Sequence, residues 1–302
     1  MTDSVSSSAS PLSFAPGGAV AAEALRAAFT RAFADYLIGP FQIPFEQWPM
    51  FLARQGVDLS LSRVALAADG APLAFAFVAP RPAARRWRLA TMGALPAARG
   101  TGAAPALLDD VIARAAAAGL EAVELEVFAQ NDRARKLYEG RGFEKLHELF
   151  GFLAEPGTIT PASLASPVQG AAGKTPRAID MASALAWLDE AEKRLPDLPL
   201  QVTSATLRHG VDYHAWRVGD GDAAATQAQV VFSLPDETVM IHSLVAPRET
   251  GARALIQALA AVYPERRLRV PQLQREDLGG SALRALGATA QPLHQQLMRR
   301  PL

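Results

Sequence analysis

Apolar and polar residues alternate along the chain in two rhythms, and the switches between them set out the elements. Pro11–Phe14 has the extended pattern of a short first strand. From Ala21 to Tyr36, Leu25, Phe29 and Phe33 recur one helical turn apart, which is one face of an amphipathic helix. The breaker-rich loop Gly39-Pro40-Phe41-Gln42-Ile43-Pro44 follows, then a second short helix over Phe45–Gln55 carrying Trp48, Met50 and Phe51. Arg63–Ala68 and Ala71–Ala79 alternate like strands and are joined across Asp69-Gly70, a two-residue hairpin signal. Leu89–Leu95 is a strand, and Leu107, Leu108, Val111, Ile112 and Ala115 form the buried face of a helix that Gly119 ends. A strand at Glu121–Phe128, a helix from Asn131 to Gly142-Phe143 and strands over Phe143–Leu153 complete this half. The order is mixed α/β, not the regular βαβ alternation of a doubly wound sheet.

Between the Leu89–Leu95 strand and its following helix lies Arg99-Gly100-Thr101-Gly102-Ala103-Ala104. The first N–H groups of a helix lack partners in their own helix and carry the positive end of its dipole, so this junction is an anion site. Gly100 and Gly102 let a large anion, such as a diphosphate, approach the main chain without meeting a Cβ. Pro105 removes one N–H that the first turn leaves unpaired in any case.

At these residues the sequence resembles the GNAT superfamily of N-acetyltransferases. Arg99, Gly102 and Ala104 match that family's Arg/Gln-x-x-Gly-x-Gly/Ala, and Asn131, Ala134, Leu137, Tyr138, Gly142 and Phe143 match its Asn-x-x-Ala-x-x-Leu-Tyr-x-x-x-Gly-Phe. The resemblance implies an α/β (α+β) fold with a mixed central sheet and helices on both faces, and acetyl-CoA as the acyl donor. The main chain of Gly100, Thr101, Gly102, Ala103 and Ala104 would grip the pyrophosphate, with Arg99 beside it. The main chain around Met92 and Ala94 would line the pantetheine arm and offer N–H groups to the developing oxyanion. Asn131 would cap its helix and touch the cofactor. Tyr138, two turns on along the same face with the small Ala134 between, would protonate the departing thiolate as general acid.

Glu124 and Glu126 alternate with Val123, Leu125 and Val127, so both face one side of their strand. Glu126 is the candidate base for the incoming ammonium, directly or through water. Tyr36, Phe41, Phe45, Trp48 and Met50 concentrate in the first two helices and their loop, where an acceptor pocket for a small-molecule or peptide amine would be built. Two basic groups, Arg81, Arg85, Arg86 and Arg88, then Arg133, Arg135 and Lys136, read as solvated faces; the second could attract an adenosine 3′-phosphate.

From Glu155 to Pro176 the composition turns to Pro, Gly, Ala, Ser and Thr, a linker. Beyond it come a helix over Ala178–Leu195, strands over Gln201–Arg208, Tyr213–Gly219, Gln227–Leu234 and Thr238–Val245, a helix over Ala252–Val262, a strand over Arg267–Leu273 and a short helix over Ser281–Leu286. This order repeats the first half. Leu244-Val245-Ala246-Pro247 stands where Gly93-Ala94-Leu95-Pro96 stood, and Leu286-Gly287-Ala288 where Arg141-Gly142-Phe143 stood. The copy lacks a Gly-x-Gly turn, and Leu283 and Glu276 occupy the tyrosine and asparagine positions. The reading is a tail over 1–14, a catalytic GNAT domain over 15–154, a linker over 155–176 and a degenerate GNAT-like domain over 177–302. The second copy would act structurally and favours a monomer with pseudo-dimeric pairing of its domains.

Composition narrows the classes further. Half the residues are hydrophobic and a fifth charged, which suits globular domains with large cores. Thirty basic and thirty acidic side chains cancel, giving no support for nucleic acid as a partner. The absence of cysteine removes disulfides and thiolate chemistry, and the five histidines show no metal-ligand spacing, so no metal is expected. The Ser-rich start has neither a basic nor an apolar segment, and no apolar run reaches a membrane span; the expected location is cytoplasmic. Two rivals stand beside the transferase. A nicotinamide-binding domain would need a glycine where Pro105 stands. A non-catalytic acetyl-CoA binder or scaffold would have no need of Tyr138.

Overall fold

The computed structural model describes residues 13–160, 175–195, 197–219 and 228–302. By contact the chain forms two compact units. The first holds the described residues up to Leu52, Gly56–Val123 and Leu302; the second holds Ala53–Gln55 and Glu124–Pro301. Most of the tail, 1–12, and most of the linker, 161–174, lie outside the described residues.

In the first unit, β1 (Ser13–Pro16), α1 (Ala22–Ala32) and α2 (Trp48–Arg54) precede a run of strands, β2 (Asp58–Leu66), β3 (Pro72–Arg81) and β4 (Arg86–Ala94), and then α3 (Ala103–Ala117). β1 pairs β2, β2 pairs β3 and β3 pairs β4, all antiparallel. Phe75 and Phe77 of β3 face α1 and α2, where Phe29 meets Trp48 and Phe51 edge-on at 5.4 and 5.2 Å. Ala74, Ala76 and Val78 alternate to the other face, and their small size lets α3 lie close against β3. The β2–β3 turn is longer than the two-residue form read from Asp69-Gly70. Ala67 N–H donates to the Ala71 carbonyl and Gly70 N–H to that of Ala67, with Gly70 at φ +83°, the three-residue form with a left-handed closing glycine. β4 carries a bulge at Ala90, between the pairs Phe77–Thr91 and Val78–Leu89.

By contact, the division between units falls inside β5 (Ala122–Phe128). After β5 come α4 (Asp132–Glu139), β6 (Glu144–Ala154), β7 (Arg177–Ile179), α5 (Met181–Arg194), α6 (Ser204–Leu207), β8 (His214–Val218), β9 (Ala228–Ser233) and β10 (Thr238–Val245). The chain ends with α7 (Glu249–Val262), β11 (Arg267–Arg275), α8 (Gly280–Ala285), β12 (Thr289–Ala290) and β13 (Gln295–Pro301). β13 lies in the sheet beside strands far from it in sequence. This C-terminal strand lies between β5 and β6, antiparallel to β6 from Glu144–Arg299 to Leu149–Gln295, while the other edge of β6 pairs β11. The strand between β5 and β6 is therefore the last in sequence.

Helices cover both faces of the β8–β11 sheet. α7 and α8 seal Val230, Phe232, Val239 and Ile241, and α5 and α6 seal Ala215, Val231 and Val245. The segment read as a strand over Gln201–Arg208 is a 3₁₀ turn at Leu200–Val202 followed by α6. Polar side chains turn it helical: Thr203 donates to the Leu200 carbonyl and Ser204 to Asp189. The helix expected over Ala178–Leu195 starts at Met181, because Asp180 accepts from Ser183 N–H and caps it, leaving Arg177–Ile179 as β7. No helix among the described residues is long and apolar enough to cross a membrane.

Candidate active site

The glycine turn belongs to the first unit. Gly100 and Gly102 both have positive φ, +83° and +90°, and a Cβ on either would meet nothing within 4 Å. α3 starts at Ala103 without a side-chain cap. Among the described residues the N–H groups of Gly102, Ala103 and Ala104 donate to nothing, and Thr101 turns its hydroxyl inward to the Ala98 carbonyl. The result is an open cradle of uncommitted main-chain donors at a helix N-terminus, which fits a diphosphate. Just before it, Met92 and Ala94 lie half-buried on β4, opposite Ala76 and Ala74 of β3.

Arg99 sits differently from a phosphate ligand. Its guanidinium pairs with both carboxylate oxygens of Asp35 and donates to the Ala32 carbonyl, tying the glycine turn to the end of α1. The Asp35 hydrogen bond holds the Arg99 pKa above its ordinary value. Of the aromatic acceptor candidates, Trp48 is core, packed on Phe29 and Phe77. Phe41, Phe45 and Met50 are exposed on the α1–α2 segment, joined there by Leu37 and Ile38. Tyr36 packs edge-on to Phe33, and its burial raises its phenol pKa. The first arginine group is only partly a solvated face: Arg81 and Arg88 are buried, while Arg85 is exposed and donates to the Gly119 carbonyl.

In the second unit Asn131 accepts the Ala134 N–H at 3.2 Å and caps α4. Tyr138 lies on the buried side of α4 with its ring 5.8 Å from that of Phe143. The chain then turns through Gly142 at φ +78°, and Phe143 N–H returns to the Tyr138 carbonyl, so the tyrosine is held from both sides. Arg135 braces the same helix by donating to the Ala129 carbonyl and pairing Asp132 and Glu139.

The two β5 carboxylates part company. Glu124 is fully buried, and Arg299 of β13 lies 3.7 Å away with Asp197 on its other side. Glu126 is half-buried and accepts from Gln201 Nε2 at 3.5 Å. Gln201 and Arg299 escaped sequence reasoning, because no local pattern links them to a strand that far back in the chain.

The second copy has a vestige of the same architecture. β10 and β11 run parallel only from Thr238–Arg267 to Met240–Arg269 and then separate. Gln274 fills the gap: its amide donates to the carbonyls of Leu244, Arg275 and Leu278. The cavity left beside it, lined by Val202, Leu244, Leu273 and Leu278, is about 10 Å³, space for about one water.

A mixed sheet with helices on both faces, a glycine turn before a helix and a tyrosine helix after the next strand define an acetyltransferase-type fold. Residues 22–143 match the model of the acetyltransferase (GNAT) family, and this segment is a GNAT acetyltransferase domain. Three solved structures share the fold over nearly the whole chain. A GCN5-related N-acetyltransferase from Anabaena variabilis is 13% identical, with 96% of this chain and 72% of that chain covered and a TM-score of 0.62. One from Kribbella flavida is 16% identical, covering 97% and 71%, with a TM-score of 0.59. A tandem GNAT protein from the clavulanic acid biosynthesis pathway is 16% identical, covering 96% and 98%, with a TM-score of 0.58. A search of curated proteins found no match to the chain.

Proposed function

We propose that the protein is an N-acetyltransferase that moves an acetyl group from acetyl-CoA to a primary amine by direct attack in a ternary complex. What supports this reading is an open glycine cradle at Gly100–Ala104 in the first unit and, in the second, Tyr138 on a helix that Asn131 caps. A non-catalytic binder would need the first and not the second. The main-chain N–H groups of Gly102, Ala103 and Ala104 hold the diphosphate, and the β4 main chain around Met92 and Ala94 lines the arm. Acetyl-CoA supplies the activated acyl carbon. Glu126, directly or through water, takes a proton from the ammonium, the amine nitrogen bonds to the acyl carbon, and the carbon–sulfur bond breaks. Tyr138 then gives its hydroxyl proton to the thiolate, and the proton lost by the amide nitrogen returns to the phenolate through water. The acceptor lies against the α1–α2 segment.

The degenerate copy over 177–302 takes a structural part, and the chain works as a monomer whose two copies stand in for a dimer. Support comes from Gln274, which occupies the vestigial slot. The test is thiol release over a panel of amines, beside calorimetry with acetyl-CoA. Tyr138→Phe lowers turnover at least tenfold with acetyl-CoA binding unchanged. Tight binding with no turnover on any amine, and no effect of Tyr138→Phe, makes the protein a scaffold instead.

A further inference from the structure

We infer that Gln130 and His294 are positioning residues for Tyr138: the connection between β12 and β13 fastens the β5–α4 junction, and with it the helix that carries the tyrosine. All of these residues belong to the second unit. The Gln130 side chain holds the 292–294 segment with both ends of its amide. Its Nε2 donates to the Pro292 carbonyl and to His294 Nδ1, each at 3.2 Å, and its Oε1 accepts the His294 N–H at 3.5 Å. One residue earlier, Ala129 N–H donates to the His294 carbonyl at 2.9 Å, and the Ala129 carbonyl accepts from Arg135 of α4 at 2.9 Å. Ala129 therefore joins the 292–294 segment to the helix directly.

The imidazole is held from β6 as well. The Phe150 ring stacks on it with centroids 5.0 Å apart, and its Nε2 lies 2.9 Å from a carboxylate oxygen of Glu148. Accepting from Gln130 at Nδ1 leaves the ring proton on Nε2, facing that carboxylate. The next residue after Gln130 is the cap, Asn131, so the clasp fixes the first turn of α4. Tyr138 lies about 10 Å further along the helix, and a tilt of about 6° at the junction would displace it by about 1 Å. A misplacement of that size slows a reaction that depends on an oriented group. That the oriented group is the proton donor rests on the proposed transferase reading; that the clasp orients it does not.

The test labels the full chain with 3-fluorotyrosine and follows the ¹⁹F resonances of its four tyrosines, Tyr36, Tyr138, Tyr213 and Tyr263, with that of Tyr138 assigned by Tyr138→Phe. Gln130→Met and His294→Phe keep side-chain bulk, and in the second case a ring to stack on Phe150, while removing the side-chain hydrogen bonds of the clasp. His294→Asn returns an acceptor to the Nδ1 position. Gln130→Met and His294→Phe move or broaden the Tyr138 resonance and leave that of Tyr36 in place, and His294→Asn restores it. Turnover follows the resonance: kcat falls at least fivefold in the first two variants, with KM for acetyl-CoA within twofold of the parent. An unmoved Tyr138 resonance in both variants, an equal disturbance of all four tyrosines, or no rescue by His294→Asn overturns the inference. The resonance needs no acceptor and no turnover. If it moves as expected while kcat stays the same, the clasp stands and Tyr138 loses its place as the acid.

Discussion

Arg99 grips Asp35 through two charge-assisted hydrogen bonds, Nη1 to Oδ2 at 2.5 Å and Nη2 to Oδ1 at 2.6 Å. The arginine at the head of the glycine motif is thus spent on the end of α1, and in the proposed site phosphate recognition falls to the main chain. Asp35 is 62% exposed, so the pair contributes less than about 1 kcal/mol to stability. Arg99→Ala should therefore weaken acetyl-CoA binding less than about tenfold, worth about 1.4 kcal/mol. A double-mutant cycle with Asp35→Ala should give a coupling below about 1 kcal/mol in urea unfolding. A loss of binding of a hundredfold or more would return Arg99 to the phosphate.

Gly102 makes the opposite case. An alanine there suffers left-handed strain of about 1–2 kcal/mol and sets a methyl in the phosphate approach. Gly70, at φ +83° in the β2–β3 turn, has the same strain and the same open surroundings. Gly102→Ala and Gly70→Ala should lose similar stability by thermal melting, while only Gly102→Ala raises the acetyl-CoA Kd, by at least tenfold in calorimetry. Equal Kd values in the two variants would remove the cradle from the site.

These contrasts mark what the chain's letters disclose. The glycine turn, the Asn131 cap and the Tyr138 helix are local, each fixed by neighbours within a turn or two, and they were legible. Arg99–Asp35, Glu124–Arg299 and Glu126–Gln201 are encounters between distant segments, set by packing that no periodicity encodes. β13 went unread because Gln295, Gln296, Arg299 and Arg300 hide its strand character, and Leu297 and Met298 alone mark it. Gln201–Arg208 was misread for the converse reason: its spaced apolar residues imitate a strand, and the hydroxyls of Thr203 and Ser204 divert it into helix.

Gln274 bears on cofactor stoichiometry. Its amide serves three buried carbonyls in the slot where the first copy would seat an arm. Calorimetry should therefore give one acetyl-CoA per chain. Gln274→Ala should cost about 1–3 kcal/mol by urea unfolding, since buried carbonyls lose one of their donors, without creating a second binding event. A stoichiometry of two would show the slot to be open.

Acid should destabilise the fold through His242. Burial first, then the Arg54 charge, push its pKa from 6.5 to about 4, and burial with Arg275 lowers that of His147. Above pH 6.5 the ring is neutral folded and unfolded. As pH falls from 6.5 toward 4 the unfolded chain takes the proton and the folded one does not, so stability is lost across that window. The loss from His242 reaches up to about 3 kcal/mol at its lower end. Urea midpoints at pH 7 and pH 4.5 should differ less in His242→Gln than in the parent chain. An equal difference in both would mean the ring is already charged when folded.

The position of β13 argues against separating the two copies. Leu297 and Met298 are each 1% exposed, and Arg299 on the same strand, half-buried, pairs with the buried Glu124. Removing the strand strips one edge of β6 and takes away the Arg299 guanidinium that lies 3.7 Å from the buried Glu124. A chain ending at Gln291, or one cut after Ala154, should therefore fail to give a cooperative thermal transition and should not bind acetyl-CoA. Leu297→Ala is the milder probe: it should cost about 2–5 kcal/mol in urea unfolding while leaving binding intact at low temperature. If the chain cut after Ala154 folds and binds acetyl-CoA as the full protein does, the first copy is complete without β13.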